Sequence, residues 1–176
     1  DNILFITGAG ISADSGIPTY RGVGGMYDVG ETEEGLPIEE LLSGSMMVSR
    51  PDLTWKYLLQ IESACREAKF NPGHEVIAAL EESKKRVWTL TQNVDGFHRD
   101  AGSENVIEIH GNLRTLICTK CTFSENVTDY ADLSPLPMCP DCGAPIRPDV
   151  VLFGEFIPVH KVAQLQSEID RGFDMV

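Results

Sequence analysis

Four of the five cysteines stand in two pairs, Cys118-x2-Cys121 and Cys139-x2-Cys142, with seventeen residues between the pairs. Two intervening residues let one tight turn aim both sulfurs at a single ion, and this spacing is that of a four-thiolate zinc site. Four thiolates leave no coordination position for water, so such a zinc is structural. Disulfides are the competing reading, and a reducing compartment disfavours them. Cys65 has no partner pair and reads as a packing residue.

Three further groups carry polar chemistry. Gly8-Ala9-Gly10 with Ala13 forms a Gly-x-Gly-x-x-Ala turn after an apolar run. Missing Cβ atoms there permit close approach of a pyrophosphate, although the same triplet also serves as a plain tight turn. The second acidic-tipped strand of a standard dinucleotide fold does not follow about 30 residues on; that region is rich in Gly and Glu instead. Gln92, Asn93 and Asp95 form a second cluster, able to bond ribose hydroxyls and an amide-bearing ring or to make an Asx turn into a helix. His110, followed by Gly111, carries an imidazole, the side chain most often used as a general base, though a lone His is more often structural.

These groups need elements to carry them. Residues 3–7 form a continuous apolar run that reads as a buried strand. Residues 86–91, 106–109 and 150–153 read as further strands, and 173–176 as the start of another. Helices are expected over 53–69, from Asn71-Pro72 onward and over 159–172. His74, in the first turn of the second of these, is expected at the surface. The stretch 21–50 reads as a mobile loop followed by short helices. Strands alternating with helices predict an α/β fold with a parallel sheet, and the cysteine segment reads as an insertion in it. Gln92 and His110 both follow strands, and ligands of open α/β sheets bind at the carboxyl ends of strands.

The 14 basic and 27 acidic residues of the 176-residue chain give a net charge of −13. That excess argues against duplex DNA as a partner and suits a lysine-rich protein partner. No apolar run reaches the length of a membrane span, and no signal peptide opens the chain, so a cytoplasmic protein with no membrane partner is expected.

Taken together, the motifs resemble the sirtuin family of NAD-dependent protein deacylases, of the bacterial type. The residues that carry the resemblance are Gly8-Ala9-Gly10-Ile11-Ser12, Ser15-Gly16-Ile17-Pro18-x-Tyr20-Arg21-Gly22, Thr91-Gln92-Asn93-Val94-Asp95-x-x-His98, His110-Gly111, both cysteine pairs, and Arg147-Pro148-x-Val150-Val151-x-Phe153-Gly154-Glu155. The resemblance implies a Rossmann-like domain of residues 1–25, 71–112 and 149–176. It implies a cofactor loop and helical module over 26–70, and a zinc ribbon over 113–148. NAD would be held by Gly8, Ala9, Gly10, Ser12, Asp14, Ser15, Gly16, Ile17, Pro18, Tyr20 and Arg21, with Gln92, Asn93 and Asp95 at the nicotinamide and its ribose. A loop from Arg21 to about Tyr27 would order on binding. His110 would be the general base that deprotonates a ribose hydroxyl. Val151, Phe153, Gly154 and Glu155 would bind the acyl-lysine peptide, the last three as an added strand. The products would be lysine, nicotinamide and O-acyl-ADP-ribose. An ADP-ribosyltransferase of the same fold and a non-catalytic zinc-ribbon adaptor are the alternatives.

Departures from the family pattern are Tyr20 for the usual Phe and Met26-Tyr27 for Leu-Trp. Members that prefer succinyl or malonyl groups carry Tyr-x-x-Arg where this chain has Tyr57-Leu58-Leu59-Gln60, which implies a preference for acetyl or other neutral acyl groups. The family also continues past a strand like Asp174-Met175-Val176 into a Gly-Thr-Ser turn and further strands, so the C-terminal part of the fold is expected to be missing from a protein of about 240 residues by resemblance.

Overall fold

A computed structural model describes residues 1–17, 32–84 and 86–176. In chain order its elements are β1 (Asn2–Thr7), α1 (Ala9–Ser12), a 3-10 turn (Ala13–Ser15), α2 (Ile38–Leu41), α3 (Gly44–Ser49), α4 (Pro51–Glu67) and α5 (Pro72–Ser83). There follow β2 (Arg86–Thr91), α6 (Phe97–Asp100), β3 (Val106–Glu108), β4 (Gly111–Cys118), β5 (Ser124–Asn126), β6 (Ile146–Val150) and α7 (Val159–Asp170). Among the described residues no helix is long and apolar enough to cross a membrane.

Two sheets form. The first is parallel, in the order β1-β2-β3. Its register brings Thr7, Thr91 and Glu108 side by side, so all three strands end at one level. The residues that follow, Gly8, Gln92 and His110, therefore emerge along one edge. The main chain keeps that register one step further, since Gln92 N–H donates to Thr7 O and Ile109 N–H to Thr91 O, both at 3.0 Å. On the far side of β1, Ile3 bridges Met175 in parallel, as the sequence predicts for the last few residues.

Burial drives this sheet together. Ile3, Leu4, Val87, Val106 and Ile107 are all buried, as are Ile77 and Ala78 of α5, which packs on β2, and Phe97 of α6, which packs on α5. Helix α5 starts where the sequence requires: Asn71 accepts a hydrogen bond from Gly73 N–H at 2.9 Å, and Pro72 occupies the first turn. Helix α7 is tied to β2 by Arg86, whose guanidinium donates to the Glu168 carboxylate at 2.7 Å.

The second sheet is antiparallel, in the order β5-β4-β6. It corrects one expectation. The apolar run 150–153 is not a strand of the parallel sheet; Val150 closes β6, opposite Gly111 of β4, and the chain then leaves the sheet. Gly111 makes this crossing possible. Its φ is +88°, and a Cβ there would lie 1.7 Å from Asp149 O, closer than any side chain permits.

The larger core lies between this second sheet and helices α2–α4. Trp55 is fully buried in it, donates from Nε1 to Ile146 O at 2.8 Å and packs on Tyr130 with ring centroids 5.5 Å apart. Tyr130 hydroxyl donates to Leu113 O. The ribbon and the helical module thus share a core.

Candidate functional site

The edge where the parallel strands end forms one wall of a cleft of about 710 Å3. Ala9, Gly10, Gln92, Asn93 and His110 come from that edge. Leu42, Leu58 and Ile61 come from the helical module, and residues 150–155 form a third wall.

The glycine turn has an informative geometry. Gly8 lies in extended backbone, at φ −148° and ψ −166°, which any residue adopts. Among the described residues, no atom beyond the adjoining chain would lie within 4 Å of a Cβ on Gly8 or Gly10. Neither the backbone nor the packing of the described residues requires glycine at these positions. The open space there leaves room for a ligand to approach the main chain, and the residues fit a dinucleotide.

Below the turn lies a polar network. Asn93, 8% exposed, donates from its amide to Gly8 O and to Ser12 Oγ, both at 3.1 Å. Ser12 hydroxyl donates to Asp95 Oδ2 at 2.7 Å, and Asp95 Oδ1 accepts Phe97 N–H at 3.0 Å. The structure thus brings Ser12, Asn93 and Asp95 together, with Asp95 beneath the turn rather than on the cleft wall. The bond to Phe97 is the Asx turn that sequence alone left open. Asp14 and Gly16 are exposed, and Ile17 is partly buried. Ser15 Oγ accepts the Asn71 amide at 3.0 Å, and the same amide donates to Ile11 O at 2.6 Å. Asn71 thus supports the glycine turn as well as capping α5, a role sequence reasoning missed; a cap residue facing two segments at once leaves no pattern in the sequence. Pro18, Tyr20, Arg21 and the expected loop through Tyr27 lie outside the described residues.

His110 lines the cleft, and its Nδ1 lies 3.1 Å from Gln92 O. A carbonyl only accepts, so Nδ1 is the donor in this contact, and the neutral ring then has its lone pair on Nε2, as a base needs.

Two other histidines are buried beneath the site. His74 is fully buried, against the expectation of a surface residue, because its ring packs on Phe97 and His98 at 5.7 and 4.8 Å between centroids. His98 shares a hydrogen bond with Thr7 Oγ1 at 2.9 Å. Burial, reinforced by the neighbouring His74, depresses His98 to about 4. Burial likewise lowers His74.

The third wall is tightly bound. Phe153 N–H donates to Leu42 O, and Gly44 N–H donates to Phe153 O, both at 3.0 Å. Val151 N–H donates to His110 O at 2.8 Å. The Glu155 carboxylate is engaged by Arg147. Of the helical module, Leu58 and Ile61 face the cleft, whereas Gln60 is exposed and Tyr57 donates its hydroxyl to Glu34. The cleft-facing positions are thus one residue along from the Tyr57/Gln60 pair singled out in the sequence.

The four paired cysteines gather as expected. Their sulfurs all lie within 4.8 Å of one another, with Cys118–Cys142 and Cys121–Cys139 at 3.5 Å. A tetrahedral zinc with bonds of about 2.3 Å separates its sulfurs by about 3.8 Å, so the donor set fits. Backbone N–H groups of Lys120 and Cys121 donate to Cys118 Sγ at 3.3 Å, and Gly143 turns the second pair at φ +70°.

The Sir2 family matches residues 8–175. NAD-dependent protein deacylase 2 of Pseudomonas aeruginosa is 51% identical over 179 residues, covering 100% of this chain and 70% of that protein. A mutant Sir2 homologue in complex with ADP-ribose superposes with a TM-score of 0.85 at 37% identity, over 96% of this chain and 66% of that one. A Sir2 protein with a deacetylated p53 peptide and 3'-O-acetyl ADP-ribose superposes with a TM-score of 0.82 at 32% identity, over 95% of this chain and 66% of that one. The chain therefore spans about two thirds of the length of these structures.

Proposed function

The chain belongs to the Sir2 family, and from that premise we propose that it acts as an NAD-dependent protein lysine deacylase. The observation that carries this reading is the contact of His110 Nδ1 with Gln92 O, in the same cleft as the glycine turn.

When bound, NAD supplies the ribose carbon that takes the acyl oxygen as nicotinamide leaves. Gly8, Ala9 and Gly10 present main chain to the pyrophosphate, and Ser12, Asp14, Ser15, Gly16 and Ile17 continue that surface. Pro18, Tyr20 and Arg21 belong to the same reading. Gln92 and Asn93 serve the nicotinamide side, and Asp95 orients Ser12. His110 takes the proton from a ribose hydroxyl at Nε2. Leu42, Leu58, Ile61 and Val94 wall the cleft with apolar surface, which excludes water and strengthens the electrostatic guidance of the acyl oxygen. Cys118, Cys121, Cys139 and Cys142 hold a structural zinc.

Acylated lysine in a protein or peptide is the substrate, with Val151, Phe153, Gly154 and Glu155 on its side of the cleft. No Lys or Arg stands among the described lining residues, which supports a neutral acyl group. The division into 1–25, 71–112 and 149–176, 26–70, and 113–148, and a cytoplasmic location, belong to the same reading.

The test is mass spectrometry of the products formed from NAD and an acetyl-lysine peptide. The deacetylated peptide, nicotinamide and O-acetyl-ADP-ribose in equal amounts are expected. ADP-ribose attached to a protein side chain, or no reaction, overturns the reading.

A further inference from the structure

The ion pair between Arg147 and Glu155 has no part in the chemistry above, yet it binds the third wall of the cleft together. Arg147 stands on β6 opposite Ile117, beside the Cys118–Ile146 pairing, so a zinc ligand anchors the strand it rises from. Its guanidinium makes a fork: Nη1 donates to Glu155 Oε1 at 2.5 Å and Nη2 to Oε2 at 2.9 Å. Nη2 also donates to Val150 O at 2.5 Å, and Glu155 Oε2 accepts Leu152 N–H at 2.9 Å. Val150, Leu152 and Glu155 all line the cleft.

The ring of bonds is largely withdrawn from water, with 12% of the Arg147 side chain and 30% of that of Glu155 exposed. Burial opposes the charge on Glu155, but the bonds from Arg147 and Leu152 N–H outweigh it and hold the carboxyl below its usual range. A second contact fixes the other side. A Cβ on Gly44 would fall 2.8 Å from Glu155 Cγ and Oε1, so this side chain lies directly over the start of α3. The carboxylate of Glu155 thus joins the zinc-ribbon strand, the cleft wall and the helical module.

We propose that Arg147 and Glu155 are positioning residues that hold the wall 150–155 against the zinc ribbon at the spacing the acyl-lysine peptide requires. The Glu155 carboxylate serves the protein and not the substrate. Loss of the fork loosens the peptide's side of the cleft and leaves the glycine turn, Asn93 and His110 in place. This inference rests on the deacylase reading.

The test is steady-state kinetics of the full-length, zinc-loaded protein with an acetyl-lysine peptide and NAD. For Arg147→Met, which removes both bonds of the fork and the bond to Val150 O, the peptide KM is expected to rise at least about tenfold. The kcat and the KM for NAD are expected to stay within about twofold and the zinc content unchanged. Arg147→Lys should recover part of the loss, because an ammonium keeps a charge but not a fork. The double variant Arg147→Met, Glu155→Met should be no worse than the single one. Should Arg147→Met fail to fold, Glu155→Gln makes the same comparison, since it keeps the shape and the acceptor for Leu152. An unmoved peptide KM, a parallel loss in kcat and in both KM values, or additive effects in the double variant overturn the proposal. A wild-type protein without turnover overturns the deacylase reading instead.

Discussion

His110 Nδ1 lies 3.1 Å from the backbone oxygen of Gln92, and the two residues follow neighbouring strands of one parallel sheet. The bond exists because Thr91 and Glu108 are in register, so the chain beyond each strand end meets the other. In the neutral ring this bond places the lone pair on Nε2.

His110→Ala is expected to lower turnover by roughly 10²–10⁴-fold, the range for loss of a general base. NAD binding, measured by calorimetry, should change by less than about threefold, because the main chain of His110 still receives Val151 N–H. Full activity in this variant would remove His110 from the mechanism.

Two glycines should respond in opposite ways. Gly10→Ala adds a methyl group where no atom of the described residues beyond the adjoining chain lies within 4 Å, so thermal stability should hold while NAD affinity falls. Gly111→Ala puts a Cβ 1.7 Å from Asp149 O and asks alanine for φ +88°. It should cost at least about 2 kcal/mol and reduce the folded yield. Equal melting temperatures for the two variants would contradict this account.

Zinc removal should act through the ribbon. Stripping the ion from the four thiolates should unfold the second sheet and erase its hydrogen-exchange protection, and with it the protection of Trp55, which donates to Ile146 O. Protection that survives verified removal of zinc would mean that apolar packing alone holds the sheet.

Acyl selectivity follows from the apolar wall. A succinyl carboxylate placed against Leu58 and Ile61 finds no cation among the described lining residues. Its kcat/KM should fall at least about tenfold below that of acetyl, which corresponds to about 1.4 kcal/mol of unpaired charge. Comparable rates on the two peptides would place a cation in the cleft.

Much of the site is legible in the sequence because its motifs are local. Two cysteines with two residues between them, a glycine turn after an apolar run and a histidine after a strand each declare themselves within a few positions. What depends on tertiary neighbours does not. The run 150–153 is apolar enough to pass for a buried parallel strand, but Val150 closes an antiparallel strand and 151–153 line the cleft. His74, in the first turn of a helix, reads as exposed until Phe97 and His98 cover it. Tyr57 and Gln60 have the right spacing for a cleft-facing pair, but the helix turns Leu58 and Ile61 inward. Arg147 and Glu155 meet only because β6 and the loop beyond it double back.

The buried histidines set the acid limit of the fold. His98 is held neutral, with its titration depressed to about 4 by burial and by His74, and His74 is lowered by burial against the opposing pull of Asp95. The unfolded chain binds these protons near the ordinary value of about 6.5. Above that pH neither state carries the charge and stability is full. As pH falls from about 6.5 to about 4 the unfolded chain takes up protons that the folded one refuses, so stability falls across that window. His98 accounts for up to about 3 kcal/mol of the loss, complete below its folded value. Because Nδ1 of His98 and Nε2 of His74 have no partner among the described residues, neither ring has an acceptor ready for a second proton. Denaturant unfolding at pH 7.5, 5.5 and 4.5 measures the slope, and His98→Asn should flatten it while the carboxylate contribution remains. Identical slopes for the wild type and the variant would show that His98 does not set the limit.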